Sequence, residues 1–328
     1  MTTSRRDAPL IAALLIGVGL IVAPFVFQMF TRAPEGASMI EDFRPYMTPD
    51  QVEEFRGYLV EIDAAEAETT QALRPVLAEG GVDYDATYPS AATLNSTWEA
   101  IDTDMTDLLD RMDANIDNFA AVDALPSFEL FPWFFVLPGI ILAVLAVLAL
   151  RARSAGRDGR GLLVTLAVVG VALVLAPAVF QMFSRAPQGG DMIDSFRPMM
   201  TRERVQDVQG YFITLGASEG ELRNVVVPTV AEAAGYTPAE ATTAFPATSD
   251  FSADWPTIVT DFAPMIAAMS DNVDNYEAVD ALPPFALFPW FFVIPGVLVV
   301  VLALVSARRP EPVPIEPDHL PTTQGTET

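Results

Sequence analysis

Apolar residues fall along this chain in two patterns. Four runs are unbroken, and between them lie long stretches in which an apolar residue returns every three or four positions. The unbroken runs cover residues 10–30, 131–150, 162–183 and 288–305, and none contains a charged residue. Each is close to the ~20 residues a helix needs to cross the hydrocarbon of a bilayer. A helix also bonds every backbone N–H and C=O internally where water is absent. Four transmembrane helices are therefore expected. Arg5 and Arg6 precede the first run, as in a cleaved leader, but the mid-chain run 162–183 ends in the same string and no small-residue cleavage site follows closely. Both are expected to be retained.

The stretches between the runs carry helical periodicity. Val52, Phe55, Leu59, Ile62, Thr69, Leu73 and Val76 are spaced by three, four or their sum, which places them on one helix face. Thr48-Pro49-Asp50-Gln51 opens that helix with a threonine cap, a proline in the first turn and glutamine at the capping-box position. The pattern stops at Gly80-Gly81, and a loop is expected to about residue 93. A second stripe then runs through Leu94, Trp98, Ile101, Met105, Leu108, Met112, Ile116, Phe119 and Val122. Phe251, Trp255, Ile258, Phe262, Met265, Met269, Val273, Tyr276 and Val279 repeat it later. Each intervening segment is expected to form an antiparallel helical hairpin. A hairpin buries one seam alone, so two hairpins packed as a four-helix bundle satisfy the pattern better.

The chain states its pattern twice. Residues 23–48, APFVFQMFTRAPEGASMIEDFRPYMT, return at 176–201 as APAVFQMFSRAPQGGDMIDSFRPMMT, and NFAAVDALPSFELFPWFFVLPG (118–139) returns as NYEAVDALPPFALFPWFFVIPG (275–296). A repeat this long is a duplicated module rather than a solenoid unit. Two spans per copy give both copies one orientation, so a pseudo-two-fold axis along the membrane normal is expected. The arrangement resembles an ancestral homodimer joined by the linker 151–161.

Charge sets the orientation. Arg5, Arg6, Arg151, Arg153, Arg157, Arg160, Arg308 and Arg309 flank the spans at the two ends and the linker, whereas segment 31–130 holds 5 Arg against 22 acids and segment 184–287 holds 5 against 15. The positive-inside rule predicts both termini and the linker in the cytoplasm, with the acidic segments outside the plasma membrane. The expected divisions are therefore 1–9 cytoplasmic, 10–30 span, 31–130 ectodomain, 131–150 span, 151–161 linker, 162–183 span, 184–287 ectodomain, 288–305 span, and 306–328 a disordered, proline-rich cytoplasmic tail.

Composition then narrows the chemistry. The formal charge is −25, with no cysteine and a single histidine, His319. An acidic ectodomain repels nucleic acid and anionic lipid. Without cysteine, disulfides and thiol catalysis are excluded; with histidine confined to the tail, Ser–His and zinc constellations are excluded from the ectodomains. Asp104, Asp107, Asp110, Asp113 and Asp117 align on one helix face, but the stretch from Asp113 has asparagine at the glycine position of an EF-hand and Ala124 at its twelfth. A solvated acidic face is expected. No ionisable residue lies within a span, which removes the relay of a proton- or ion-coupled carrier. No catalytic, cofactor or metal residue is assigned.

What remains is a membrane-proximal collar. Trp133 and Trp290, in FPWFFVxPG, read as an aromatic belt; Gln28 and Gln181 as polar residues near span ends; and Arg32-Ala33-Pro34 and Arg185-Ala186-Pro187 as snorkelling cations at a helix break, or, with Arg44 and Arg197, as clamps onto the partner hairpin's acids such as Asp123 and Asp280. Phe128 and Phe285 complete the set. Pro24 and Pro177 are expected to kink their spans. The reading is an all-α, non-enzymatic integral membrane protein that acts by interaction, with membrane lipids, an envelope protein or a second copy as partners and an accessory or scaffolding role. Alternatives are a passive binder or conduit for lipid or another hydrophobic molecule, which the placement of Met105, Met112, Met265 and Met269 discriminates, and a membrane sensor.

Overall fold

In the computed structural model, residues 7–308 are described; Arg5, Arg6, Arg309, His319 and most of the expected tail lie outside them. Helix is the regular secondary structure of the described residues, with no strand among them, and four helices are long and apolar enough to span a membrane. In chain order the helices are α1 (Ala8–Val26), α2 (Met29–Phe43), α3 (Pro49–Glu68), α4 (Arg74–Glu79), α5 (Tyr84–Thr87), α6 (Pro89–Ala114), α7 (Ile116–Asp123) and α8 (Phe131–Ser154). The second half repeats this order as α9 (Arg160–Val179), α10 (Met182–Phe196), α11 (Arg202–Glu221), α12 (Val227–Ala234), α13 (Pro238–Ala244), α14 (Pro246–Asp271), α15 (Val273–Asp280) and α16 (Phe288–Ala307).

The spans α1, α8, α9 and α16 pack as a bundle, most closely α1 on α8 and α9 on α16. Glycine permits that closeness. A methyl group built on Gly139 would lie 2.8 Å from the Gly17 carbonyl oxygen, and one on Gly296 would lie 2.6 Å from that of Gly170. Small residues let apolar helices meet backbone to backbone where no hydrophobic force drives them together. Exposed large apolar side chains, such as Phe25, Ile141, Val164 and Leu298, stud the outer faces of the spans.

Above one end of this bundle, α3, α6, α11 and α14 form a second four-helix bundle in which the two hairpins pack on each other. The apolar stripes read from the sequence line its core: Phe55, Phe251 and Phe262 are wholly buried, and Ile101, Met105 and Ile258 are within 2% of it. Thr48 caps α3 by accepting a bond from the Gln51 amide, and Thr201 caps α11 from the Arg204 amide. Gln51 does not close a capping box, because its amide donates to Glu54 instead. The loop expected over 80–93 is mostly helix. Asp83 caps α5 and Pro89 starts α6, so the non-helical part shrinks to Gly80–Asp83 and Tyr88. Tyr84 and Tyr88 are buried there against Leu73, Leu77, Val226 and Val230 from both halves. Each first arm contains one π turn, at Thr69–Leu73 and Leu222–Val226, in equivalent positions.

The apolar run 10–30 is not a single helix. The α1 helix ends at Val26, and α2 begins at Met29 after Gln28, which has φ 54° and ψ 33°. Gln181 repeats this turn with φ 55° and ψ 31°. The break therefore falls six residues before Pro34, and Pro34 and Pro187 lie inside α2 and α10. Pro24 and Pro177 occupy the last turns of α1 and α9, where their missing N–H and their rings weaken the ladder just ahead of the turn.

Candidate functional site

The short helices α2 and α10 connect spans to hairpins, and each crosses to the opposite half. Helix α2 packs on α15, and α10 packs on α7. Glycine again sets the contact: a methyl group on Gly36 would meet Val279 at 3.1 Å, and one on Gly189 would meet Val122 at 3.1 Å. The turn residues Gln28 and Gln181 make the crossover possible. Their carbonyls accept from the hydroxyls of Thr31 and Ser184, at 2.9 and 3.0 Å, which pins the turn that follows. The side chains of both glutamines are exposed, so their part in the collar is conformational.

Arg32 and Arg185 complete the crossover. Arg32 donates to the Ala281 carbonyl at 2.9 Å, and Arg185 donates to the Ala124 carbonyl at 2.9 Å. These carbonyls lie at the C-terminal ends of α15 and α7, where helix carbonyls lack partners and cations are favoured. Arg32 and Arg185 thus engage carbonyls, and of the expected acid clamps it is those of Arg44 and Arg197 that form. Arg44 pairs with Asp123 at 2.7 Å, and Arg197 pairs with Asp280 at 2.7 Å, each within its own half. The Asp123 and Asp280 carboxylates hold both guanidiniums above the ordinary arginine pKa.

Inside the collar, phenylalanines meet their own counterparts. Phe128 faces Phe285 with ring centroids 6.3 Å apart, Phe131 faces Phe288 at 4.8 Å, and Phe135 faces Phe292 at 4.6 Å. Spaced by three and four residues, they form one face of the α8 and α16 entries. A residue that touches its own equivalent is the signature of a two-fold contact. Two further pairs flank the ladder reciprocally: Phe27 with Phe291 at 6.3 Å and Phe134 with Phe180 at 5.9 Å. Trp133 and Trp290 point away from it. They are 46% and 48% exposed and meet Phe30 and Phe183 edge-on. The structure thus brings Arg32, Arg185, Phe128 and Phe285 together and leaves the tryptophans on the periphery.

The reciprocity continues up the hairpin bundle. Glu68 of α3 accepts from the Thr248 amide in the first turn of α14, and Glu221 of α11 accepts from the Ala91 amide in the first turn of α6, both at 2.8 Å. An acid at a helix N-terminus satisfies an orphan donor and the helix dipole together. Asn115 donates to Ser195 and Asn272 donates to Asp42, at 2.9 Å each. The Tyr58 hydroxyl donates to Asp261 at 2.5 Å, and Tyr211 bonds Asp104 in the equivalent place. Burial and Asp104 push the Tyr211 hydroxyl up to about 12. Arg204, 2.6 Å from Asp104, and Tyr211 hold that carboxyl below the usual aspartate range.

The acidic row of α6 is engaged by arginines: Asp107 with Arg111, Asp110 and Asp113 with Arg56, and Asp104 with Arg204. Where α3 meets α14, Glu61 has a buried, unbonded oxygen. Burial, then Asp254 and Asp250, raises its pKa above the ordinary glutamate value. Met112, Met265 and Met269 line a cavity, while Met105 lies in the closed core.

Sequence reasoning misses the glycine contacts and the phenylalanine ladder. The available signal was the recurrence of Gly17, Gly139, Gly170 and Gly296 at equivalent positions of all four spans. No protein-family model matches this chain, and no curated protein matches it.

Proposed function

We propose that this chain is a non-enzymatic membrane scaffold, an accessory subunit of a cell-envelope assembly. Its two acidic hairpins stand outside the plasma membrane, with both termini and the linker 151–161 in the cytoplasm. The observation that carries the reading is the reciprocal crossover: each of α2 and α10 is seated on the other half and held by an arginine on a helix end. Joined to the phenylalanine ladder along the axis, this gives a stiff platform rather than a hinge. The repeated sequence and the paired contacts support a tandem duplication in which two modules occupy the places of a former dimer. The exposed, acidic faces of the hairpin bundle are the surface offered to a partner.

Native mass spectrometry on the full chain, extracted gently from its own membrane, tests this. The scaffold reading expects a protein partner at fixed stoichiometry, and finding the chain with lipid alone overturns it. A second reading, a binder for a hydrophobic molecule, is favoured by one observation. A cavity of about 50 Å³ lies at the collar between Phe128, Phe134, Phe180 and Phe288, with Arg185 beside it. That reading expects a bound lipid or other hydrophobe that is lost when Phe134 and Phe180 are replaced by tryptophan, which fills the space.

A further inference from the structure

Eight of the twelve methionines in the chain line one cavity of about 60 Å³, bounded by α2, α6, α7, α10, α14, α15 and the turns after α2 and α10. Six form three equivalent pairs across the two halves: Met39 with Met192, Met47 with Met200, and Met112 with Met269. Met199 and Met265 add two more from the second half. All eight are buried, at 7% exposure or less. The remaining lining is aliphatic and aromatic, and the Tyr276 hydroxyl on its wall is bonded to the Ile193 carbonyl. Filling space is a task that leucine performs with less loss of side-chain freedom. Three positions of the repeat thus keep sulfur in both halves and turn it toward one cavity.

We propose that this cavity is a binding site for a soft monovalent cation, Cu(I), held by thioether sulfurs from both halves. Thioethers are soft ligands that select Cu(I) over the hard and borderline divalent ions. In a chain without cysteine they are the sulfur ligands available. A buried charge is tolerated when its ligands replace the lost hydration. The strongly acidic segments around the cavity raise the local concentration of any cation. Part of the wall is formed by turns. Met47 lies on the turn between α2 and α3, and Met199 and Met200 lie on the turn between α10 and α11. Those turns adjoin the solvent-exposed Arg44–Asp123 and Arg197–Asp280 pairs. Binding changes no oxidation state and needs no further reactant. The site holds whether or not the scaffold reading does.

The test is a titration of the purified full-length protein in detergent. Cu(I) is offered anaerobically against a chromophoric chelator, and Ag(I) serves as its redox-inert stand-in. The expected result is one cation bound per chain, with sulfur alone in the first coordination shell by X-ray absorption. The triple substitution Met39→Leu, Met192→Leu and Met269→Leu removes ligands while nearly conserving volume. It is expected to weaken Cu(I) binding by about 100-fold or more. Met29→Leu with Met182→Leu, away from the cavity, leaves binding unchanged. The absorption measurement on the unaltered protein stands even if the triple variant folds poorly. Failure to retain either cation against the chelator overturns the proposal, as does a first shell of oxygen or nitrogen, or full affinity in a folded triple variant. Uptake of xenon or benzene by a protein that binds neither cation also overturns it and marks the cavity as a site for apolar molecules.

Discussion

At the scale of single residues, two glutamines carry the largest conformational burden. A non-glycine residue in the left-handed region costs about 1–2 kcal/mol. Gln28 and Gln181 both sit there, because the chain must turn between span and crossover helix. Glycine adopts that conformation freely, whereas a β-branched side chain clashes. Gln28→Gly is therefore expected to keep or raise the unfolding temperature, and Gln28→Val to lower stability by roughly 1–2 kcal/mol; thermal unfolding of both variants checks this. Nothing in the sequence flags either turn, since glutamine has no special preference for it and the apolar run continues past it.

Residue-scale electrostatics predict a pH dependence. Glu61 binds its proton more tightly in the folded protein than in the unfolded chain, because burial and then Asp254 and Asp250 disfavour its charge. Asp102 behaves alike, through burial and then Asp63. Their contribution is complete below the ordinary carboxylate values and lost as the pH rises through their raised ones. Asp104 has the opposite sign: its contribution is present above the ordinary aspartate value and fades as the pH falls through its depressed one. Lowering the pH from neutrality to just above the ordinary carboxylate range is thus expected to raise the melting temperature of the hairpin bundle. Glu61→Gln should flatten part of that rise, as melting curves across pH will reveal.

At the scale of elements, periodicity was the most legible signal. The stripes through α3, α6 and α14 and the cap at Thr48 follow from side-chain spacing and backbone donors, which are local properties. Over 80–93 the pattern reads as a loop but the chain is mostly helical, because Asp and Pro also start helices: Asp83 caps α5 and Pro89 takes the first turn of α6. The proline of Arg-Ala-Pro likewise reads as a breaker but lies within α2. Glycine contacts between spans were invisible because they depend on which faces meet. They carry a clear expectation. Gly139→Val places a branched side chain against the backbone at Gly17 and the side chain of Ile21. Overpacking of that kind costs about 1–3 kcal/mol. Gly19→Val, where a methyl group meets nothing within 4 Å, should be neutral by comparison. Denaturation in mixed micelles distinguishes the two.

At the scale of the whole molecule, the repeat told of two similar halves but not of how they interlock. The crossover of α2 and α10 is a tertiary choice: the same stripes allow each short helix to pack on its own half. The tryptophans of FPWFFVxPG, read as a belt, keep an exposed position, whereas the phenylalanines beside them turn inward to meet their equivalents. Orientation is open to a direct test, because the chain has no cysteine. Single substitutions Ser96→Cys, in α6, and Ser154→Cys, at the end of α8, are expected to react with a membrane-impermeant maleimide in intact cells only at position 96.

The absence of cysteine also allows the decisive measurement, a pair of cross-links across the collar. Gly36 and Val279 are close enough for a disulfide, given the 3.1 Å approach of a methyl on Gly36 to the Val279 side chain. Gly36→Cys with Val279→Cys is expected to close readily on mild oxidation, joining the two halves after the linker is cut by protease. Gly36→Cys with Val122→Cys, within one half, should stay reduced. If the second pair closes and the first does not, each half folds on itself and the interlocked platform is wrong.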